Sequence, residues 1–290
     1  MHAATQQDVR PQTSALKAIL PIMVAVFVGF LIIGIAMPVL PLHVHQTLGQ
    51  GTFAVGLVAG SQFAASLLSR FWAGRFADTK GGKHAVIVGL VGAAVAGGVY
   101  WLSLRFIDHA NISAAILLAG RGLLGAAESF IITGALSWGL ALVSQENTGK
   151  VIAWTGSSMF ASFAIGAPIG TSLYGMFGFS AIALATLCIP LATLFLVLPQ
   201  RGLAPAAKEA VSFARAVKLI WVPGLGLGLS SFGFGAITTF VTLLFAANGW
   251  GPGWEPFTAF ALVFIAARAL LGHLPDKLGG AEIALAVLAQ

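Results

Sequence analysis

Apolar residues along this chain come in blocks of about 20, and polar residues are confined to the gaps between blocks. No block shows the strict alternation of a strand, so the pattern predicts membrane-crossing helices. Eight blocks stand out, over residues 17–42, 53–73, 84–104, 112–141, 151–174, 180–198, 221–246 and 256–271, numbered here as spans 1 to 8. A further apolar run begins at 281 and has ten residues when the chain ends at 290. At about 1.5 Å per residue it is too short for roughly 30 Å of hydrocarbon. The expectation is a chain that stops inside a ninth helix.

Composition narrows the class. Charged residues are 8% of the 290 and apolar residues 58%, with a mean hydropathy of +0.94. A water-exposed surface cannot be covered with so little charge, which excludes a soluble enzyme, a nucleic-acid-binding domain and a disordered tail. Glycine, 36 residues, is frequent enough to suit close helix–helix contact in lipid. The single cysteine, Cys188, allows no disulfide within the chain and no Cys-based metal site. No metal site and no cofactor is expected.

The net charge of +6 is distributed by side. With the N-terminus in the cytoplasm, 13 of the 15 Lys and Arg residues fall in inner segments, Arg105 falls outside and Arg121 lies within span 4. Such an asymmetry sets the orientation of a multi-pass protein in a bacterial cytoplasmic membrane. The longest polar stretch, 199–220, follows six spans. It predicts a six-helix lobe over 1–198, a cytoplasmic central loop, and an incomplete second lobe over 221–290 of about two and a half helices.

An internal repeat supports this division. Arg70, Gly74, Asp78, Gly81 and Gly82 after span 2 match Arg268, Gly272, Asp276, Gly279 and Gly280 after span 8, at one constant offset of 198. Six helices of about 33 residues give that offset, as duplication of a six-helix half would. An Arg at a span end can snorkel to the interface, paired glycines permit a turn with positive φ, and an Asp before a helix can cap it.

These residues carry a resemblance. The run from Gly74 through Asp78, Lys80, Gly81 and Gly82 to Lys83 resembles the loop 2–3 signature of the major facilitator superfamily (MFS), departing from it at Thr79, where a basic residue is usual. The second copy keeps Lys277 and has Ala281 in the last basic place. Arg121 and Gly125 are similar to the family's R-x-x-x-G signature in span 4. Gly166, Pro168 and Gly170 partly resemble the Gly-Pro signature of its antiporter branch, with Ala167 replacing a glycine. The wording looks most like bacterial exporters of the arabinose-efflux-permease type. The resemblance implies an all-α integral membrane fold of the MFS type, in which two six-helix lobes rock about a central site. It assigns Arg70, Gly74, Asp78, Gly81, Gly82 and Lys83 to a gating loop, with Arg268, Gly272, Asp276, Lys277, Gly279 and Gly280 as its second copy.

Glu128 is the one acid inside spans 1 to 8. A charge at mid-bilayer costs about 2.5–3.5 kcal/mol, so it needs a partner, a proton or a water cavity. Arg121 lies seven residues earlier on the same helical face, about 10 Å away along the axis. Burial favours the protonated carboxyl and a guanidinium the ionised one, so alternation between the two would couple protons to transport. The alternative is a static Arg121–Glu128 pair. For Asp78 the alternative to gating is a helix cap, and for Gly166, Pro168 and Gly170 the alternative to a hinge is ordinary packing. His43 and His45, at the outer end of span 1, are expected to be interfacial polar residues rather than metal ligands.

The expected function is secondary active transport, a proton-coupled efflux of a small or amphipathic molecule by alternating access. The protein would work as a monomer when full length, with protons, a small-molecule substrate and the lipid bilayer as partners and no nucleic acid. Alternatives are a proton-coupled uptake symporter and a transport-inactive fragment. A chain with so little of the second lobe leaves the central cavity open to lipid on one side, so these 290 residues alone are not expected to transport. No P-loop encodes an ATP-driven step, and no H-E-x-x-H motif or paired Mg²⁺-binding acids mark an enzyme.

Overall fold

The computed structural model describes residues 12–143, 147–203 and 231–271, with positions 221, 224, 225 and 228 between them. Six of its helices are long and apolar enough to cross a membrane. We label the main helices α1 (Gln12–Ala36), α2 (Thr52–Lys80), α3 (Gly82–Ser103), α4 (Ala110–Ala141), α5 (Thr148–Phe177), α6 (Phe179–Val197), α7 (Phe232–Asn248) and α8 (Glu255–Leu271). They follow the eight predicted spans. The described helical positions 221, 224, 225 and 228 precede a turn at Ser231, ahead of α7. The proposed central loop from 204 to 220, the last 19 residues from 272 to 290 and the side chain of Arg268 lie outside the described residues.

Successive helices run in opposite directions, as cross-links at their ends show. At one end, Gln50 Nε2 donates to Asn111 Oδ1 at 3.0 Å, and Thr47 Oγ1 and Tyr174 Oη lie 3.1 Å apart. At the other, Lys83 Nζ donates to the carbonyls of Leu198 (2.7 Å) and Gln200 (2.6 Å), and Trp138 Nε1 donates to that of Arg201 at 3.1 Å. We call this second end, where Arg75, Lys80, Lys83 and Arg201 gather, the basic end.

Lipid offers no hydrophobic drive for one apolar helix to leave it for another, so contact relies on close packing of small residues. Three glycine seams achieve this. A Cβ at Gly97 of α3 would overlap the Leu187 backbone of α6. One at Gly125 of α4 would overlap the Gln62 carbonyl oxygen of α2, and one at Gly170 of α5 the Ile35 carbonyl oxygen of α1. The pairs α3–α4, α2–α4, α1–α5 and α3–α6 share the most extensive contacts of the first lobe. Trp72, Trp101 and Trp250 are exposed toward helix ends, as amphipathic rings at a membrane interface are.

Two expectations are corrected. Span 2 was bounded at residue 73, but α2 continues to Lys80, so Arg70, Gly74 and Asp78 lie on a helix. The connection to α3 is Gly81 alone, with φ +94° and ψ 148°. An L side chain resists that φ. Gly82 needs no unusual φ; it is the first residue of α3, and a Cβ there would lie 2.6 Å from the Trp138 backbone nitrogen. The second correction concerns His43. It is buried, on a π-helical turn (His43–Thr47), and its ring stacks on Phe179 at 4.1 Å.

Candidate functional site

One face of α4 carries Arg121, Gly125 and Glu128 in i, i+4, i+7 register. The glycine between the two charges sets the geometry. Because Gly125 presents no side chain, the backbone of α2 comes against α4 at Gln62. The Gln62 side chain then reaches Glu128, and its Nε2 donates to Glu128 Oε2 at 2.8 Å. The R-x-x-x-G spacing thus has a local physical purpose.

Glu128 and Arg121 form no ion pair within 4 Å among the described residues. A static pair is therefore not what α4 builds. Glu128 is half-buried. The Gln62 hydrogen bond is the direct contact. Gln62 itself is buried, and its Oε1 has no hydrogen-bond partner.

Arg121 is 2% exposed. Its hydrogen bond is to the hydroxyl of Tyr100 on α3, at a long 3.5 Å, and its Nε has no partner. It borders a small cavity of about 10 Å³, which also touches Met37, Leu40, Pro41, Ala59, Phe63, Thr238 and Thr239. A volume of this size holds about one water. The two threonines belong to α7, so the cavity lies between the first six helices and the next two.

Other contacts join those two groups. Phe63 and Phe234 meet edge to face at 6.4 Å, and Phe160 of α5 stacks on Phe264 of α8 at 3.7 Å. Thr258 of α8 donates from Oγ1 to the Ala164 carbonyl of α5 at 2.9 Å. Ala164 lies four residues before Pro168, which has no N–H to return to it. Gly166 and Gly170 pack on α1: a Cβ at Gly166 would lie 2.9 Å from the Gly34 carbonyl carbon. The predicted hinge residues thus serve two contacts, glycines toward α1 and the proline-freed carbonyl toward α8.

Asp78 stands apart from this centre. It is exposed in the last turn of α2 and makes no side-chain hydrogen bond or ion pair among the described residues. It caps nothing, since the N-cap of α3 is Gly81 with no side-chain bond. Arg70 is exposed and Gly74 half-buried on the same helix. In the second copy, Arg268 lies on α8 as Arg70 lies on α2, while Gly272, Asp276, Lys277, Gly279 and Gly280 are outside the described residues. Sequence reasoning missed Gln62, Tyr100 and Thr258. The signal available was a polar group inside an apolar span.

Residues 22–289 match the Major Facilitator Superfamily. The chain is 40% identical over 263 residues to an uncharacterized MFS-type transporter of Salmonella typhimurium, covering 91% of this chain and 68% of that protein. It is 35% identical over 259 residues to the uncharacterized MFS-type transporter YhhS of Escherichia coli, covering 89% and 64%. A Pseudomonas aeruginosa protein described as an uncharacterized MFS-type transporter is 36% identical over 287 residues, covering 97% and 70%. The chain spans about two thirds of the length of these relatives. It belongs to the Major Facilitator Superfamily, a family of multi-pass membrane transporters.

Proposed function

We propose that the protein is a proton-coupled secondary transporter that exports a small or amphipathic molecule, with Glu128 as its proton carrier. The observation that carries this reading is the Glu128–Gln62 pair. The carboxylate accepts one N–H from Gln62, and the neighbouring Oε1 of the same amide is buried and unmatched. A protonated Glu128 has an O–H to donate to that oxygen, closing a two-bond ring. The pair therefore suits both the ionised and the protonated carboxyl.

The cavity bounded by α2, α4, α7 and residues 37–41 just after α1 suits alternating access. The described lobes meet at mid-depth and toward the end opposite the basic one, while Arg70 and Asp78 stay exposed. The basic end then lies in the cytoplasm of a bacterial inner membrane. Asp78, which makes no side-chain hydrogen bond or ion pair among the described residues, is then available as a gating contact for the second lobe.

Vesicles bearing the full-length protein test the reading. An imposed proton gradient is followed with a pH-sensitive dye while ethidium or benzoate is added. Substrate-dependent loss of the gradient is expected, and Glu128→Gln should abolish it while keeping the amide-like pairing with Gln62. A proton signal unchanged by Glu128→Gln would remove this residue from coupling.

Uptake by symport is the second reading, and the unmade bonds of Arg121 favour it. An anionic substrate that took Arg121 would leave Glu128 without its nearby countercharge, and a proton would then enter with the substrate. Antiport instead needs proton and substrate to exclude one another.

A further inference from the structure

We propose that the cavity between the lobes takes the anionic head of an amphipathic organic acid, with Arg121 as the group that holds it. The inference rests on the second, symport form of the transporter reading above and adds the chemistry of the substrate.

Guanidinium carries five N–H donors in a planar fork and no acceptor. Here that fork is 2% exposed, makes one long contact to a neutral phenol and leaves Nε unmatched. Burying a cation in this way is costly unless something completes its bonds. Among the described residues, the candidate for that task is Glu128, but its carboxylate leans on Gln62 and lies outside ion-pair distance. Arg121 lines a cavity, so a ligand there can complete its unmade bonds. A carboxylate matches the fork with two parallel bonds, which a neutral amide or an ammonium cannot do.

The remaining walls describe the rest of the molecule. Met37, Leu40, Ala59 and Phe63 are apolar, and they suit a hydrocarbon or aromatic body. Thr238 and Thr239 close the cavity from the second lobe. Their hydroxyl protons are committed to their own helix, at 2.8 Å to the Phe234 carbonyl and 2.7 Å to that of Gly235. The principal donor for an anion is therefore Arg121. The present volume, about 10 Å³, admits no organic acid. Binding must accompany separation of α7 from α2 and from residues 37–41 after α1, which makes the occupant of Arg121 a participant in the lobe movement.

The test compares benzoate, benzamide and benzylammonium, three probes of one shape and different charge. Binding to the purified full-length protein is followed by titration and by the shift in thermal unfolding. Benzoate should bind and raise the unfolding temperature, while benzamide and benzylammonium should not. This comparison requires no variant. Arg121→Gln should weaken benzoate roughly 10- to 100-fold. Arg121→Lys, which keeps the charge without the fork, should fall between. Equal binding of the neutral or cationic probe, absence of benzoate binding, or unchanged benzoate affinity in Arg121→Gln would each overturn the assignment. If ethidium-coupled proton flux persists in vesicles after such a result, the transporter reading survives without the anion. If neither ethidium nor benzoate drives flux, both proposals fall.

Discussion

Removing one hydroxyl at Thr258 should loosen the junction between α5 and α8. Pro168 deprives the Ala164 carbonyl of its helical donor, and Thr258 supplies the replacement at 2.9 Å. Ala164 is 7% exposed, so the orphaned carbonyl in Thr258→Val finds no ready water. A buried unmatched acceptor costs about 1–3 kcal/mol, whereas interhelical hydrogen bonds measured in membranes average about 0.6 and reach about 1.7. We take about 1 kcal/mol, which corresponds to a roughly fivefold shift of population away from the joined state. Pro168→Ala returns an N–H to α5 and makes Thr258 redundant. In that background, the effect of Thr258→Val should shrink to less than about twofold, a coupling of at least about 0.6 kcal/mol. Pulsed electron resonance on the full-length protein can read this. Spin labels would be placed at the exposed Met176 and Trp250, with Cys188→Ser removing the native thiol. The long-distance fraction should rise in Thr258→Val and return toward its starting value in the double variant. Identical distributions in Thr258→Val and the parent, or no rescue by Pro168→Ala, would refute the assignment of this bond.

Four further outcomes are expected. Gly125→Ala should lower thermal stability by about 1–3 kcal/mol because α2 must move off α4, whereas Gly74→Ala, with open space around it, should be neutral or gain up to about 1 kcal/mol. Asp78→Asn should leave unfolding within about 0.5 kcal/mol of the parent, since its side chain bonds to nothing among the described residues, and still slow transport in vesicles; a large stability loss would return it to a capping role. Gln62→Met should impair proton coupling by taking both halves of the amide from Glu128, and coupled flux equal to the parent's would show that the amide is dispensable. Proton release on substrate binding, measured in weakly buffered detergent solution, should accompany export; proton uptake would favour symport.

The helices were legible because an apolar block must match the thickness of the hydrocarbon, and that match survives any arrangement of the blocks. Helix ends were less so. Hydropathy marks where lipid stops, and α2 passes that point for two further turns until Gly81 breaks it. His43 looked interfacial from its place at a span end, but Phe179 from α6 lies over it. The site was half legible. Glu128 and Arg121 stood out as charges in oil, and the spacing to Gly125 was visible. Their partners were not, because Gln62, Tyr100 and Thr258 gain meaning from which helix lies beside which. Nor does sequence distinguish Gly125, pressed on a backbone, from Gly74, where an added Cβ would meet nothing within 4 Å.

Lys83 gives the α2–α3 turn a mechanical role. Its ammonium clasps the carbonyls of Leu198 and Gln200, Trp138 holds that of Arg201, and a Cβ on Gly81 would come within 3.1 Å of the Leu203 carbonyl oxygen. The strand of chain leaving α6 toward the second lobe is thus tied down at the turn that carries the family signature. A tug on that strand is delivered to the ends of α2 and α3, and a tilt of α2 pulls on the strand in return. The signature turn acts as a bollard for the tether between halves, whatever charges it also presents to the opposing lobe.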